Sequence, residues 1–237
     1  MEHQPEQKAV VWDLDGVIVD SAEAHNASWV AMAREFGVPY DPRRDFARIF
    51  GRHNTDIIGS MWNVKDPEQI QRMAEVKERW FRKYAASLRP LPGVIELMEE
   101  LARSGWKQAI GSSAPMENIR LLVSAAGVDK YMQAIVSGDD VSKGKPDPQV
   151  FLMAFERLGV DPRNGVVIED APAGIQAGLR AGAATVGVAT TQPPEVLREA
   201  GAHLVVNSLT ELSLRDLEEL VQRQRRRLSN VQSPSSR

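Results

Sequence analysis

The chain has 237 residues, 43% hydrophobic and 26% charged, enough to bury a sizeable core as one large domain or two modest ones. Its 29 basic and 32 acidic side chains leave a formal net charge of -3, which gives no support for a nucleic-acid partner. The absence of cysteine excludes disulfides and thiolate metal sites, and no apolar run approaches the ~20 residues that span a bilayer. The start, Met1 to Lys8, is polar and lacks the apolar stretch of a signal peptide, so a cytoplasmic protein is expected.

The run Ala9-Val10-Val11-Trp12 is short, apolar and β-branched, and reads as a buried strand ending at Asp13. Asp13 to Ser21 contains Gly16 and reads as a loop or tight turn. Ser21 then caps a helix from about Ala22 to Phe36, stopped by Gly37. Helical patterning continues over Asp45–Met61 and Pro67–Ala86, so residues 21–88 form an all-helical insert. After Leu91-Pro92-Gly93 helices alternate with strands. The strands are Gln108–Ile110, Ala134–Val136, Val166–Ile168, Thr185–Val188 and His203–Val206. This alternation predicts an α/β core, residues 1–20 and 89–222, with a Rossmann-like parallel sheet and helices on both faces. The tail 223–237 opens with Arg225-Arg226-Arg227, ends Ser/Pro-rich, and reads as a fraying helix end and a disordered terminus.

Polar clusters fall at several predicted strand ends: Asp13-Leu14-Asp15-Gly16, Gly111-Ser112-Ser113, Lys143-Gly144-Lys145-Pro146 and Glu169-Asp170. In an open parallel sheet, ligands bind in the crevice outside the carboxyl ends of the strands. Carboxylates arriving from two strand ends make an oxygen-rich site suited to magnesium. Lys145 beside them can hold the cluster together and neutralise phosphate oxygens. Lys143 takes the part of an ordinary surface lysine. The Ser112 hydroxyl, at a helix start, suits an anion.

Together these four segments, in this order, resemble the motifs of the haloacid dehalogenase superfamily, and the helical insert resembles its C1-type cap. The resemblance implies a mobile cap over the active site and assigns roles residue by residue. Asp13 would be the nucleophile and Asp15 the general acid and base. Ser112 and Lys145 would bind the transferring phosphoryl group. Magnesium would be held by Asp13, Asp15 through its backbone carbonyl, and Asp170, with Glu169 in or beside the shell. Asp15 argues against dehalogenation, because it supplies the proton that a leaving alkoxide needs.

The start of the insert, Asp20-Ser21-Ala22-Glu23-Ala24-His25, is similar to the β-phosphoglucomutase and sugar-phosphate phosphatase group. That similarity implies substrate contacts from His25, Gly51, Arg52, Lys77 and Ser113. On composition alone, Lys77 sits in a Lys/Arg/Glu-rich helix and belongs to a solvated face. The group's distal-phosphate Arg stands three places after the Gly, where this chain has Asn54. The expectation is therefore a magnesium-dependent phosphatase of a small phosphorylated metabolite, with a phosphomutase second. A monomer or weak dimer with no nucleic-acid or membrane partner completes it.

Overall fold

The computed structural model describes residues 6–49 and 54–231. The chain divides into two compact units, Met1–Asp20 with Arg89–Arg237, and Ser21–Leu88.

The first unit is built on six parallel strands. They are β1 (Ala9–Trp12), β2 (Lys107–Gly111), β3 (Ala134–Val136), β4 (Gly165–Glu169), β5 (Ala184–Val188) and β6 (Leu204–Val206), in the order β3-β2-β1-β4-β5-β6. β1 is fully buried, which is why it reads as continuous apolar sequence rather than alternation. It lies between β2 and β4, with Trp12 level with both Ile110 and Ile168. The strand order reverses there, so the crevice outside the carboxyl ends of β1 and β4 is the topological switch point.

The helices are numbered in chain order, so α1 to α4 belong to the insert and α5 to α10 to the unit built on the sheet. α5 is Val94–Arg103, α6 Met116–Ala126, α7 Gln149–Leu158, α8 Pro172–Ala181, α9 Pro194–Glu199 and α10 Leu214–Val231. Phe151 and Phe155 of α7 and Ala177 of α8 pack on Val11, Ala109 and Val167. Trp12 and Gln108 turn to the opposite face, where Gln108 Oε1 accepts the Trp12 indole at 3.2 Å and Gln108 Nε2 donates to the Met98 carbonyl of α5 at 2.9 Å.

In the second unit, α1 (Ala22–Phe36) packs against α4 (Pro67–Ala85), beside α2 (Phe46–Ile49) and α3 (Asn54–Trp62). Asp66 caps α4 by accepting the Glu68 amide, with Pro67 in the first turn, and Gly37 ends α1 in the left-handed region. Trp29, Met32, Ile57, Ile58, Met73 and Val76 form its core.

Three differences from the sequence reading have physical causes. The continuous pattern over Asp45–Met61 holds two helices, α2 and α3, with residues 50–53 outside the described range. α9 follows β5 and is short, with Leu197 alone buried, too little pattern to detect. The helix end read at the start of the tail continues well past residue 222. α10 runs to Val231, because Gln224 Nε2 bonds the Gly182 carbonyl at 3.1 Å and Arg225 Nε bonds Asn164 Oδ1 at 2.7 Å.

Candidate active site

Parallel pairing extends one residue past β1, where the Asp13 amide donates to the Ile168 carbonyl at 2.9 Å. This sets Asp13 beside the end of β4. The chain then turns sharply, with Gly16 donating to Val19 O at 2.7 Å and Ile18 to Leu14 O at 2.9 Å. Gly16 takes φ +81°, where a side chain is strained. The loop or tight turn expected from Asp13 to Ser21 is thus a tight turn, with Asp15 half-buried in it.

Lys145 reaches the same point from the loop after β3. Gln149 Oε1 anchors that loop by accepting the amides of Ser142 and Lys143 at 3.0 and 3.1 Å. Lys145 Nζ donates to Asp13 Oδ1 at 2.5 Å and to Glu169 Oε1 at 2.7 Å, and lies 4.7 Å from the centre of the Phe151 ring. Glu169 Oε2 accepts the amides of Asp170 and Ala171, both at 2.9 Å. Glu169 occupies the space over Gly174 in α8, where a Cβ would lie 1.7 Å from Oε1. One carboxylate oxygen from each of Asp13, Glu169 and Asp170 lies within 4.8 Å of the other two. All three residues are buried, at 7%, 2% and 5% exposure.

The electrostatics follow from that burial. Asp13 is pushed up to about 7 by desolvation, against the pull of Lys145 and with the push of Glu169 and Asp15. Desolvation, then Glu169 and Asp13, raise Asp170 well above the usual carboxylate range. Burial disfavours the Lys145 ammonium, but Asp13 and Glu169 outweigh it and hold the group charged. A divalent cation fits this donor set: it is all oxygen, hard, closely spaced and deficient in positive charge.

Ser112 is buried at the end of β2, and its hydroxyl oxygen accepts the Ala114 amide at 3.1 Å. That leaves the hydroxyl proton to give to an anion. Ser113 and Lys143 are exposed. Gly51 and Arg52 lie outside the described residues.

Lys77 corrects the expectation of a solvated face. It is 1% exposed within the helical unit. Its Nζ lies 2.9 Å from His25 Nδ1 and 2.8 Å from Glu78 Oε1, and stands 5.5 and 5.1 Å from the centres of the Trp29 and Phe81 rings. His25 stacks on Phe81 with centroids 4.0 Å apart. The charged composition of α4 hid an inward lysine whose stem and head are covered by aromatic rings.

Thr190 and Thr191, after β5, were not singled out from sequence. Thr191 Oγ1 donates to Asp170 Oδ2, and Thr190 Oγ1 to the Gly16 carbonyl. Two adjacent hydroxyls, separated from the carboxyl end of a strand by one residue, are the available signal.

The family model for haloacid dehalogenase-like hydrolases matches residues 10–188. The chain is 36% identical over 222 residues to β-phosphoglucomutase of Bacillus subtilis strain 168, covering 90% of this chain and 94% of that protein. It is 32% identical over 214 residues to validoxylamine A 7'-phosphate phosphatase of Streptomyces hygroscopicus subsp. limoneus, covering 86% and 95%. It also matches a fifth of a longer protein, SUPPRESSOR OF QUENCHING 1, chloroplastic, of Arabidopsis thaliana, at 34% identity over 216 residues and 88% of this chain. A crystal structure of β-phosphoglucomutase from Clostridium difficile superposes with a TM-score of 0.80 at 28% identity, covering 92% of this chain and 98% of that one. The chain therefore belongs to the haloacid dehalogenase-like hydrolases, as a phosphoric monoester hydrolase of the group that resembles β-phosphoglucomutase.

Proposed function

We propose that this enzyme is a magnesium-dependent phosphatase that hydrolyses a small phosphorylated metabolite, a sugar phosphate by class, through a phosphoryl group carried on Asp13. The observation that carries the reading is the meeting of Asp13, Glu169 and Asp170 within 4.8 Å, with Lys145 bonded to Asp13 at 2.5 Å. In the first step an Asp13 oxygen attacks phosphorus and the bond to the ester oxygen breaks. Asp15 gives its proton to that oxygen, and an alcohol leaves. In the second step Asp15 takes a proton from water as the water oxygen attacks the same phosphorus. Phosphate departs and the Asp13 carboxylate is restored.

Lys145 and the Ser112 hydroxyl hold the transferring oxygens, and Glu169 fixes Lys145. Magnesium, held by Asp13, the Asp15 carbonyl and Asp170 with Glu169 in or beside the shell, would supply the charge that lets two anions meet. His25 and Lys77 of the helical unit, Ser113, and the undescribed Gly51 and Arg52 are the proposed substrate contacts. Among the described residues no helix is long and apolar enough to cross a membrane. The charge balance gives no support for a nucleic-acid partner and the absent cysteines fit a reducing compartment such as the cytoplasm; a monomer or weak dimer is the proposed state.

The test is release of nitrophenolate from p-nitrophenyl phosphate with magnesium. Wild type turns over and Asp13→Asn does not; equal rates overturn the nucleophile. A phosphomutase is the second reading, favoured by the likeness to β-phosphoglucomutase of Bacillus subtilis. It predicts that β-glucose 1-phosphate with a trace of the 1,6-bisphosphate yields glucose 6-phosphate faster than free phosphate.

A further inference from the structure

Beyond β5 the chain sends two consecutive threonines back onto the carboxylate cluster. Thr191 Oγ1 donates to Asp170 Oδ2 and lies 3.2 Å from the Asp170 carbonyl. Its neighbour Thr190 donates through Oγ1 to the Gly16 carbonyl, in the turn that follows Asp13 and Asp15. The gap between these two bonds is filled by backbone. A Cβ on Gly16 would stand 2.0 Å from Asp170 Oδ2 and 3.0 Å from Thr191 Cγ2. The turn after β1, the end of β4 and the loop after β5 are thus interlocked through two hydroxyls and one missing side chain.

An aspartate carboxylate turns easily about its last torsion, where staggering gives little preference. A hydrogen bond on one oxygen fixes the plane of the group and with it the lone pairs of both oxygens. Outer partners of this kind set the affinity of metal-binding carboxylates. Thr191 is well suited to the part. It is half-buried, it is held by the backbone that leaves β5, and its hydroxyl meets Asp170 at both the side chain and the carbonyl.

We infer that Thr191 is a positioning residue, whose hydroxyl orients the Asp170 carboxylate for a divalent cation and so tunes cation affinity rather than substrate affinity. The inference rests on the magnesium site proposed above. A purely structural threonine would stabilise the loop and leave cation affinity unchanged.

The experiment compares wild type with Thr191→Val, which keeps shape and loses the hydroxyl, Thr191→Ala, and Thr191→Ser, which keeps the hydroxyl. Each is titrated with Mn2+ by calorimetry without substrate, then assayed with p-nitrophenyl phosphate over a magnesium series. T191V and T191A bind Mn2+ about tenfold more weakly and need correspondingly more magnesium for half-maximal rate. KM for p-nitrophenyl phosphate at saturating magnesium stays at the wild-type value, and T191S binds Mn2+ as wild type does. If T191V is too unstable to titrate, T191A decides. Wild-type Mn2+ affinity in T191A, or T191S as weak as T191A, overturns the role of Thr191 while the metal site stands. No Mn2+ binding by wild type overturns the metal site and this inference together.

Discussion

Gly174 lies in the first turn of α8, and its missing side chain is what allows Glu169 to sit where it does. A Cβ there would come 1.7 Å from Glu169 Oε1, 1.8 Å from Cδ and 2.5 Å from Cγ. Gly174→Ala therefore drives the Glu169 side chain from its buried place. Three bonds depend on that place: one from the Lys145 ammonium at 2.7 Å and two from the amides of Asp170 and Ala171 at 2.9 Å. Hydrogen bonds to charged groups contribute about 1.5–3 kcal/mol each, and with partial re-formation the loss is about 4 kcal/mol. Alanine in a helix interior is better than glycine by about 1 kcal/mol, which opposes it. G174A should thus be destabilised by about 3 kcal/mol in urea unfolding, with p-nitrophenyl phosphate turnover falling at least about 100-fold as Lys145 loses one of its two anchors. If G174A matched or exceeded wild-type stability with full turnover, the packing of Glu169 over α8 would not be what holds Lys145.

Three further outcomes follow from other contacts. Gly16→Ala meets both a positive φ and a Cβ 2.0 Å from Asp170 Oδ2, so magnesium titrations of its phosphatase rate should show a raised requirement and a lower maximal rate. Lys77→Met keeps the bulk of the side chain but removes its contacts with His25, Glu78 and two aromatic rings; urea unfolding should show a loss of about 2–3 kcal/mol. Asp140 is held down to about 2 by the Ser137 hydroxyl, Arg157 and the Ser137 amide. A lowered folded-state value stabilises the protein above the unfolded pKa of about 4 and is lost as pH falls towards about 2. With the side chain 24% exposed, screening trims this to about 1–2 kcal/mol, so Asp140→Asn should be less stable by that amount at pH 7 and match wild type near pH 2.

The sheet was legible because each strand carries its own signature. Ala9–Trp12 is apolar without alternation since both faces are covered, and Gly127, Gly159 and Gly182 mark helix ends in the left-handed conformation. The polar residues at the strand ends stood out for the same reason, being charges set directly after apolar runs. What stayed hidden depends on contacts remote in sequence. Lys77 reads as surface because its neighbours in α4 are charged, and only folding brings Trp29 and Phe81 around it. Gly174 carries no local signal of its part, which becomes visible only with Glu169 above it. The order of α10 past residue 222 comes from Asn164 and the Gly182 carbonyl, which no local pattern announces.

Three buried carboxylates around one ammonium are a poor arrangement for stability alone. Burial and mutual repulsion push Asp13 to about 7 and Asp170 higher than a carboxylate's usual range, although Lys145 opposes both. Apolar residues of similar volume would hold such a site together at less cost. The surrounding structure instead keeps the carboxylates close. Two backbone amides hold Glu169, a glycine makes room for it, Thr191 holds Asp170, and the Gly16 turn keeps the Asp13 segment against them. On the proposed chemistry the incoming phosphate ester adds further negative charge, so the deficit deepens at the moment of reaction. On that proposal, a cation is needed before Asp13 can act as the nucleophile. The same burial that raises Asp13 leaves a bound cation poorly screened, where its attraction for developing charge on phosphoryl oxygens is strongest.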